Sequence, residues 1–250
     1  MGWLAGILGR STRRPAAPRQ LQVRARYDAA ITNDANRKHW ANADGLSADA
    51  AATPEVRRTL RNRARYESAN NSYAAGIVAT LANDVVGTGP RLQVLTDDPD
   101  ANNAIEQAFN AWARSINLAD RLRTMRMARA HSGECFAKLV SNPAVPGPVK
   151  LDLALVEADR VTGPAWGTIT PDEVDGIVYD SAGNPVAYRV LKEHPGDRSL
   201  NLEQETLPAS KVVHYFMPSR PEQSRGIPDL VPALPLFAQL RRYTIAVLSA

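Results

Sequence analysis

The sequence has a single cysteine, Cys135, only four histidines and no long run of apolar residues. One cysteine cannot form a disulfide within the chain, and it cannot supply the ligands of a cysteine-rich zinc site. The histidines at 39, 131, 194 and 214 form no HxH or HxxxH pair, so we expect no metal and no cofactor. No segment approaches the roughly 20 apolar residues that span a bilayer, so we expect no membrane partner.

Short catalytic motifs are also missing from the sequence. Gly87-Thr88-Gly89 is not followed by the Gly-Lys-Ser/Thr of a phosphate-binding loop, and no Gly-x-Ser-x-Gly elbow occurs. His131 and Cys135 lie four residues apart, but Gly133 interrupts any helix between them. We therefore predict that Cys135 is a small buried residue at the start of a strand, and His214 a residue within a sheet. No catalytic residue is predicted.

Carboxylates cluster in two places along the chain. Asp152, Glu157 and Asp159 are the only set that could serve a metal-dependent nuclease, which needs several converging acids. Within this set, Asp159 is expected to pair with its neighbour Arg160. The second set, at 172–175, is interpreted as a solvated loop because prolines and glycines surround it.

Charge is distributed unevenly. Residues 1–65 contain 13 basic and five acidic side chains, a net charge of +8, which leaves −4 for the other 185 residues because the whole chain carries +4. We predict that 1–52 is a basic, partly extended N-terminal arm. Arg10, Arg13 and Arg14 are candidate contacts for nucleic acid or for a partner protein, and the alternative is a solvated leader.

The segment 53–132 is predicted to be helical. Thr53, Pro54 and Glu55 have the pattern of a helix N-terminus, and a break is expected near Asn70. The helix that follows carries an apolar face and must end at the Gly-Thr-Gly-Pro turn, because glycine favours positive φ and proline cannot continue a helix. A strand at 91–95 and two further helices, over 105–116 and 118–130, complete this region.

The segment 133–217 is predicted to be β-rich, and 218–250 a turn plus the start of a helix. The turn at Asp180–Pro185 is typical of a hairpin loop. The fold class is therefore α+β, and we expect the chain to continue beyond residue 250. The five predicted strands are Glu134–Val140, Leu151–Glu157, Gly176–Asp180, Val186–Glu193 and Lys211–Phe216.

Several short segments, in this order, resemble the lambda-type family of bacteriophage portal proteins. The first block, at 61–94, contains R-x-R-A-R, a pair of asparagines and N-x-V-V-G-x-G. No single match is specific, but their order across 27–250 is. The later segments are HSGECF at 131–136, LALVEADRV at 153–161, GIVYD at 176–180, NPVAY at 184–188, HPGD at 194–197, KVVHY at 211–215 and RPEQSRGIP at 220–228.

The resemblance implies a subunit of a closed ring, usually of twelve copies, at one vertex of a tailed phage capsid. Double-stranded DNA would pass through this head-tail connector during packaging and ejection. The implied partners are other copies of the chain, a terminase, capsid and scaffold proteins, and tail or head-completion proteins. The implied location is the virion, with assembly in the host cytoplasm.

Two other classes of function remain open. One is a capsid or scaffold-type interaction protein, which would associate without forming a ring with an axial hole. The other is a DNA-processing enzyme that uses Asp152, Glu157 and Asp159. The resemblance favours a portal protein, which is not an enzyme.

Overall fold

The computed structural model describes residues 28–163, 172–197 and 201–249. The chain divides into two compact units, 1–45 and 46–250. In the first unit, a short 3-10 helix at Asp28–Ala30 precedes a turn at 33–43 in which the Asn33 and Asn36 side chains bond the backbone. The division of the chain into an arm, a helical region, a β-rich region and a final turn and helix remains a prediction.

Helices dominate the first part of the second unit, and the predicted cap at Thr53 is confirmed. The Thr53 hydroxyl accepts a hydrogen bond from the backbone N–H of Val56, and Asn71 accepts one from Tyr73. The predicted break near Asn70 is confirmed, since one helix ends there and the next begins at Ser72. The helices are α1 Ala48–Ala51, α2 Pro54–Asn70, α3 Ser72–Val86, α4 Pro99–Ser115, α5 Leu118–Ser132 and α6 Leu234–Leu248.

The segment at 91–95 corrects one prediction. Helix α3 ends at Gly87, whose φ is +53°, as expected for the Gly-Thr-Gly-Pro turn. The residues that follow form no strand, because no neighbouring strand pairs with them in the described part of the chain. Instead, the Val94 N–H donates to the carboxylate of Glu106 on α4.

Among the described residues, seven strands form two antiparallel sheets, with orders β2-β1-β7 and β3-β4-β5-β6. The hairpin predicted at Asp180–Pro185 joins β4 to β5 and is confirmed. Two strands were not predicted: β3 is only two residues long, and β6 begins with three polar residues, Gln204–Thr206. The strands are β1 Glu134–Ser141, β2 Leu151–Glu157, β3 Glu173–Val174, β4 Ile177–Tyr179, β5 Pro185–Leu191, β6 Gln204–Pro208 and β7 Val212–Phe216.

Buried side chains join the two sheets to each other. Phe136 and Val156 from the first sheet pack with Ile177, Tyr188 and Val190 from the second. An isolated bridge between Val161 and Val190 continues this contact along the backbone. Both sheets therefore share one core.

A separate core lies among the helices. Ala64 of α2, Ala74 and Val78 of α3, and Ala130 of α5 pack against Phe237 of α6. Three of its buried members are alanines, one each from α2, α3 and α5, and such small side chains let helices pack closely. Helices and strands occupy separate parts of the sequence, and the predicted α+β class is confirmed.

None of the described helices is long and apolar enough to cross a membrane.

Candidate functional site

The candidate site is built around Glu134, which lies where α5 gives way to β1. Gly133 ends the helix with a φ of +91°, and the chain then enters the sheet with the Glu134 side chain fully buried. Its carboxylate accepts hydrogen bonds from Arg225 Nη2 at 2.7 Å, the Gly226 N–H at 2.9 Å and His214 Nε2 at 2.9 Å. A buried carboxylate needs such partners, because an unpaired charge in a protein interior is strongly unfavourable.

Arg225 reaches this carboxylate from the loop between β7 and α6. Its guanidinium is fully buried and is a planar fork of five N–H donors, which suits several acceptors at once. Besides Glu134, it donates to the Asp175 carboxylate at 2.9 Å and to the carbonyls of Val161 and Ala158 at 3.1 and 3.2 Å. One side chain thus links segments more than 90 residues apart.

His214 completes the inner part of the site from β7. Its ring stacks between Phe136 and Phe216, with centroid separations of 4.2 and 4.3 Å. Because the Glu134 carboxylate can only accept, His214 Nε2 carries a proton. Burial lowers the pKa of His214 despite the nearby carboxylate. The prediction that His214 is a residue within a sheet is confirmed.

Helix α2 supplies three arginines from one face. Arg57, Arg61 and Arg65 are spaced four residues apart, so their side chains lie in a row along the helix. Arg57 pairs with Asp175, and Arg61 pairs with Asp159 at 2.9 Å. Arg61 also donates to the backbone carbonyl of Ser132 at 3.2 Å. We call the set Glu134, Arg225, His214, Asp175, Arg57, Arg61 and Asp159 the Glu134 cluster.

The electrostatics of the Glu134 cluster are internally balanced. Burial alone would raise the pKa of Glu134, but Arg225 and His214 hold that pKa far below its usual range. Asp159 follows the same rule, because Arg61 and Arg65 outweigh the effect of burial on its pKa. The carboxylates therefore stay ionised and paired. This arrangement fixes chain segments in place and offers no free general base.

Two predictions about acidic residues were wrong. The loop at 172–175 is not simply solvated, because the Asp175 and Glu173 side chains are only 15% and 5% exposed and pair with arginines. Asp159 does not pair with Arg160, whose guanidinium instead donates to the carbonyls of Leu191 and Lys192. In both cases the partner comes from a distant part of the chain, which a local pattern cannot reveal.

The three acids of the nuclease alternative do not converge. Asp152 lies at the other end of β2 from Glu157 and binds Arg121 and Asn142, at 2.5 and 2.8 Å. Glu157 and Asp159 do meet, and the His194 ring joins them closely enough to suggest metal ligands.

His194 is nevertheless in the wrong tautomer for a metal ligand. Its Nδ1 accepts the Gly196 backbone N–H at 3.0 Å, so a neutral ring carries its proton on Nε2, the atom that faces the acids. Arg61 and Arg65 already neutralise Asp159. The geometry therefore does not fit a divalent cation.

Cys135 is buried next to Glu134, as predicted, and burial raises its pKa to about 12. A thiol with such a pKa is inert as a nucleophile near neutral pH. Arg10, Arg13 and Arg14, the predicted contacts of the basic arm, lie outside the described residues.

Sequence reasoning missed the Glu134 cluster, because its members lie in segments that are far apart in the sequence. The segments HSGECF and SRGIP, at 131–136 and 224–228, were read separately as a strand start and a turn. The structure brings Glu134 of the first and Arg225 of the second together in one buried ion pair. Neither segment carries a local pattern that marks its charged residue as buried, so no sequence signal paired them.

The motifs that resemble portal proteins are thus joined in one structural unit, and comparison with known proteins gives the same result. A family model described as "Phage portal protein, lambda family" matches residues 34–250. The chain belongs to the lambda family of phage portal proteins. It is also similar to a probable portal protein of Halomonas phage phiHAP-1, with 29% identity over 188 residues.

That alignment covers 67% of this chain and 36% of the relative, so the chain spans about a third of that protein's length. The match to the portal family includes every member of the Glu134 cluster, since all of them lie between 57 and 225. The portal family is structural and non-enzymatic. This agrees with a site whose charged side chains form ion pairs with one another.

Proposed function

We propose that this chain is part of a portal subunit that assembles into a closed ring at one vertex of a phage capsid. Double-stranded DNA enters through the ring during packaging and leaves through it during ejection. The match to the lambda portal family over 34–250 is the observation that carries this proposal.

The Glu134 cluster supports a mechanical role within such a ring. It ties helix α2, the start of β1, the turn at 174–176 and the loop before α6 to one buried carboxylate. Fully satisfied buried polar networks rigidify a core and specify one arrangement. The helices and both sheets then move as one body while DNA passes.

The charge distribution suits a conduit. Each phosphate that a protein neutralises adds salt-dependent affinity for DNA, and tight binding opposes sliding. Residues 66–250 have a net charge of −4, so this part of the chain does not attract DNA strongly.

The proposed partners are other copies of the chain, in a ring of twelve, together with terminase, capsid and scaffold proteins, and tail or head-completion proteins. The proposed location is the virion, after assembly in the host cytoplasm. No catalytic step, cofactor or metal is part of this proposal. Terminase would supply the energy for packaging.

The proposal is tested by negative-stain microscopy of the full-length protein combined with native mass measurement. We expect a closed ring with an axial channel wide enough for duplex DNA. An assembly without an axial hole would indicate a capsid or scaffold-type interaction protein instead. A monomer or dimer at high concentration would refute the proposed ring.

A further inference from the structure

Helix α6 is attached to the rest of the protein through its first half. Of the described residues of α6, only Phe237 is buried, and it packs in the helical core. One turn further on, the Arg241 side chain is 31% exposed, and every residue from Arg242 to Ser249 is exposed. Phe237 and Arg241 are four residues apart and therefore lie on the same face of the helix. Within the described residues, Arg241 is the last side chain of α6 that bonds another element.

Arg241 bonds helix α2 through both arms of its guanidinium group. Its Nη1 donates to the Tyr66 hydroxyl at 2.9 Å, and its Nη2 donates to Glu67 Oε2 at 3.1 Å. Glu67 is only 8% exposed, and Arg241 is its one ion-pair partner in the described part of the chain. A buried carboxylate is unfavourable without a cationic partner. The orientation of the Glu67 side chain therefore depends on α6.

The same Glu67 oxygen also orients Asn71, the single residue between α2 and α3. Asn71 Nδ2 donates to Glu67 Oε2 at 3.2 Å. With Nδ2 held there, Asn71 Oδ1 faces α3 and accepts from the backbone N–H groups of Tyr73 at 3.0 Å and Ala74 at 3.5 Å. The first N–H groups of a helix have no partner within the helix itself. The N-terminal cap of α3 thus depends on Glu67.

We infer that Arg241, Glu67 and Asn71 form a conformational coupling device, the Glu67 link, through which the position of α6 controls the start of α3. While Arg241 is bound, Glu67 fixes the Asn71 amide and α3 is capped. When α6 moves and Arg241 leaves, the unpaired carboxylate turns towards water, Asn71 loses its acceptor and the first turn of α3 loosens. The Glu67 link operates within one subunit, so it goes beyond the proposed ring and does not depend on it.

Helix α3 connects the Glu67 link to the centre of the molecule. Ala74, one of the two residues that Asn71 caps, is fully buried and belongs to the core that contains Ala64 of α2 and Ala130 of α5. Helix α5 leads directly into β1 at Glu134. A change at the Glu67 link therefore acts on the two helices that support the Glu134 cluster.

Hydrogen–deuterium exchange of the full-length protein tests the Glu67 link. Arg241→Met removes the donors and keeps a long side chain. We expect the amides of Tyr73 and Ala74 to exchange about fivefold faster, as for the loss of a typical helix N-cap. Exchange is measured at times too short for the β1 amides, at 134–141, to exchange in the unchanged protein. Arg242→Met is the matched control, because Arg242 is the exposed neighbour of Arg241, and it should leave these amides unchanged.

A second substitution tests whether the effect passes through Asn71. Asn71→Ser keeps a good N-cap, because the serine hydroxyl accepts directly from the first turn of the helix and needs no contact with Glu67. We therefore expect Arg241→Met to leave the exchange of Tyr73 and Ala74 unchanged when Asn71→Ser is also present. An increase as large as in the single variant would overturn the Glu67 link.

Two other results would also overturn it. One is unchanged exchange of the Tyr73 and Ala74 amides in Arg241→Met. The other is early exchange of β1 in that variant, which would mean that Arg241 stabilises the whole protein rather than the start of α3. If Arg241→Met does not fold, Arg241→Lys takes its place. Lysine keeps a charge for Glu67 without the planar fork, so a smaller increase at the same two amides is then expected.

Discussion

Gly226 and Gly133 pack backbone against backbone, so closely that a Cβ on Gly226 would lie 2.1 Å from the carbonyl oxygen of Gly133. This approach brings the Gly226 N–H to the Glu134 carboxylate and places Arg225 beside it. The two glycines are therefore required by the same geometry that forms the buried ion pair.

Gly226→Ala should destabilise the protein severely. The obstructing atoms belong to backbone, which cannot move aside as a flexible side chain would, so the loss should be about 3 kcal/mol or more. Thermal unfolding of the full-length protein measures the effect. Gly45→Ala is the matched control, because nothing lies within 4 Å of its added Cβ. Equal melting temperatures for the two variants would contradict the observed contact.

Glu134→Gln should leave Arg225 with an uncompensated buried charge. Removal of one partner of a buried ion pair is expected to lower the free energy of unfolding by about 3–5 kcal/mol. Denaturant unfolding measures the loss, and Glu203→Gln is the control, because it breaks the exposed pair with Lys192 and should change stability by less than about 1 kcal/mol.

The coupling between Glu134 and Arg225 can be measured separately from the loss of stability that each single variant causes. Addition of Arg225→Met to Glu134→Gln should cost less than the sum of the two single changes, since no charge is then left unpaired between them. Strict additivity would show that the two side chains do not stabilise each other.

Stability should fall as the pH drops below about 6.5, because burial lowers the pKa of His214 in the folded state. The unfolded chain then binds a proton that the folded chain excludes. The full stability is present above the ordinary histidine pKa and is lost below it, by up to about 1.4 kcal/mol per pH unit for one proton. Denaturant unfolding at pH 7.5 and 5 measures this slope.

His214→Gln keeps an N–H that can bond Glu134 and should reduce the slope between pH 7.5 and 5. His131, whose pKa is also lowered by burial and then by Arg65, should account for part of the remaining slope. A slope unchanged in both His214→Gln and His131→Gln would be inconsistent with these burial effects. A separate loss of folding stability is expected below about pH 4.5, where carboxylates such as Glu134 become protonated in the unfolded chain.

Local signals predicted much of the fold. Thr53 and Gly87 mark helix ends through side-chain capping and positive φ, and Asp180–Pro185 marks a hairpin, since each depends on neighbouring residues alone. The apolar pattern at 91–95 was misleading, because a strand needs a partner that this pattern does not specify.

The candidate site depends on long-range contacts and could not be predicted in the same way. Glu134 and Arg225 are 91 residues apart, and each looks like an ordinary surface residue within its own segment. An apolar pattern does not by itself specify burial either, since Tyr73 and Ile77 lie on the apolar part of α3 and the structure leaves them exposed.

The basic arm gives a prediction that concerns DNA. Replacement of Arg10, Arg13 and Arg14 by alanine should weaken the binding of duplex DNA and lower the slope of log K against log salt by up to about 3, since each phosphate contact contributes about 0.9. Titrations at several salt concentrations measure both quantities.

The control replaces three exposed arginines that lie outside the arm, Arg63, Arg91 and Arg114, and it changes the net charge equally. If only the arm variant loses affinity, position rather than total charge determines binding. Unchanged isotherms for the arm variant would mean that these arginines belong to a solvated leader.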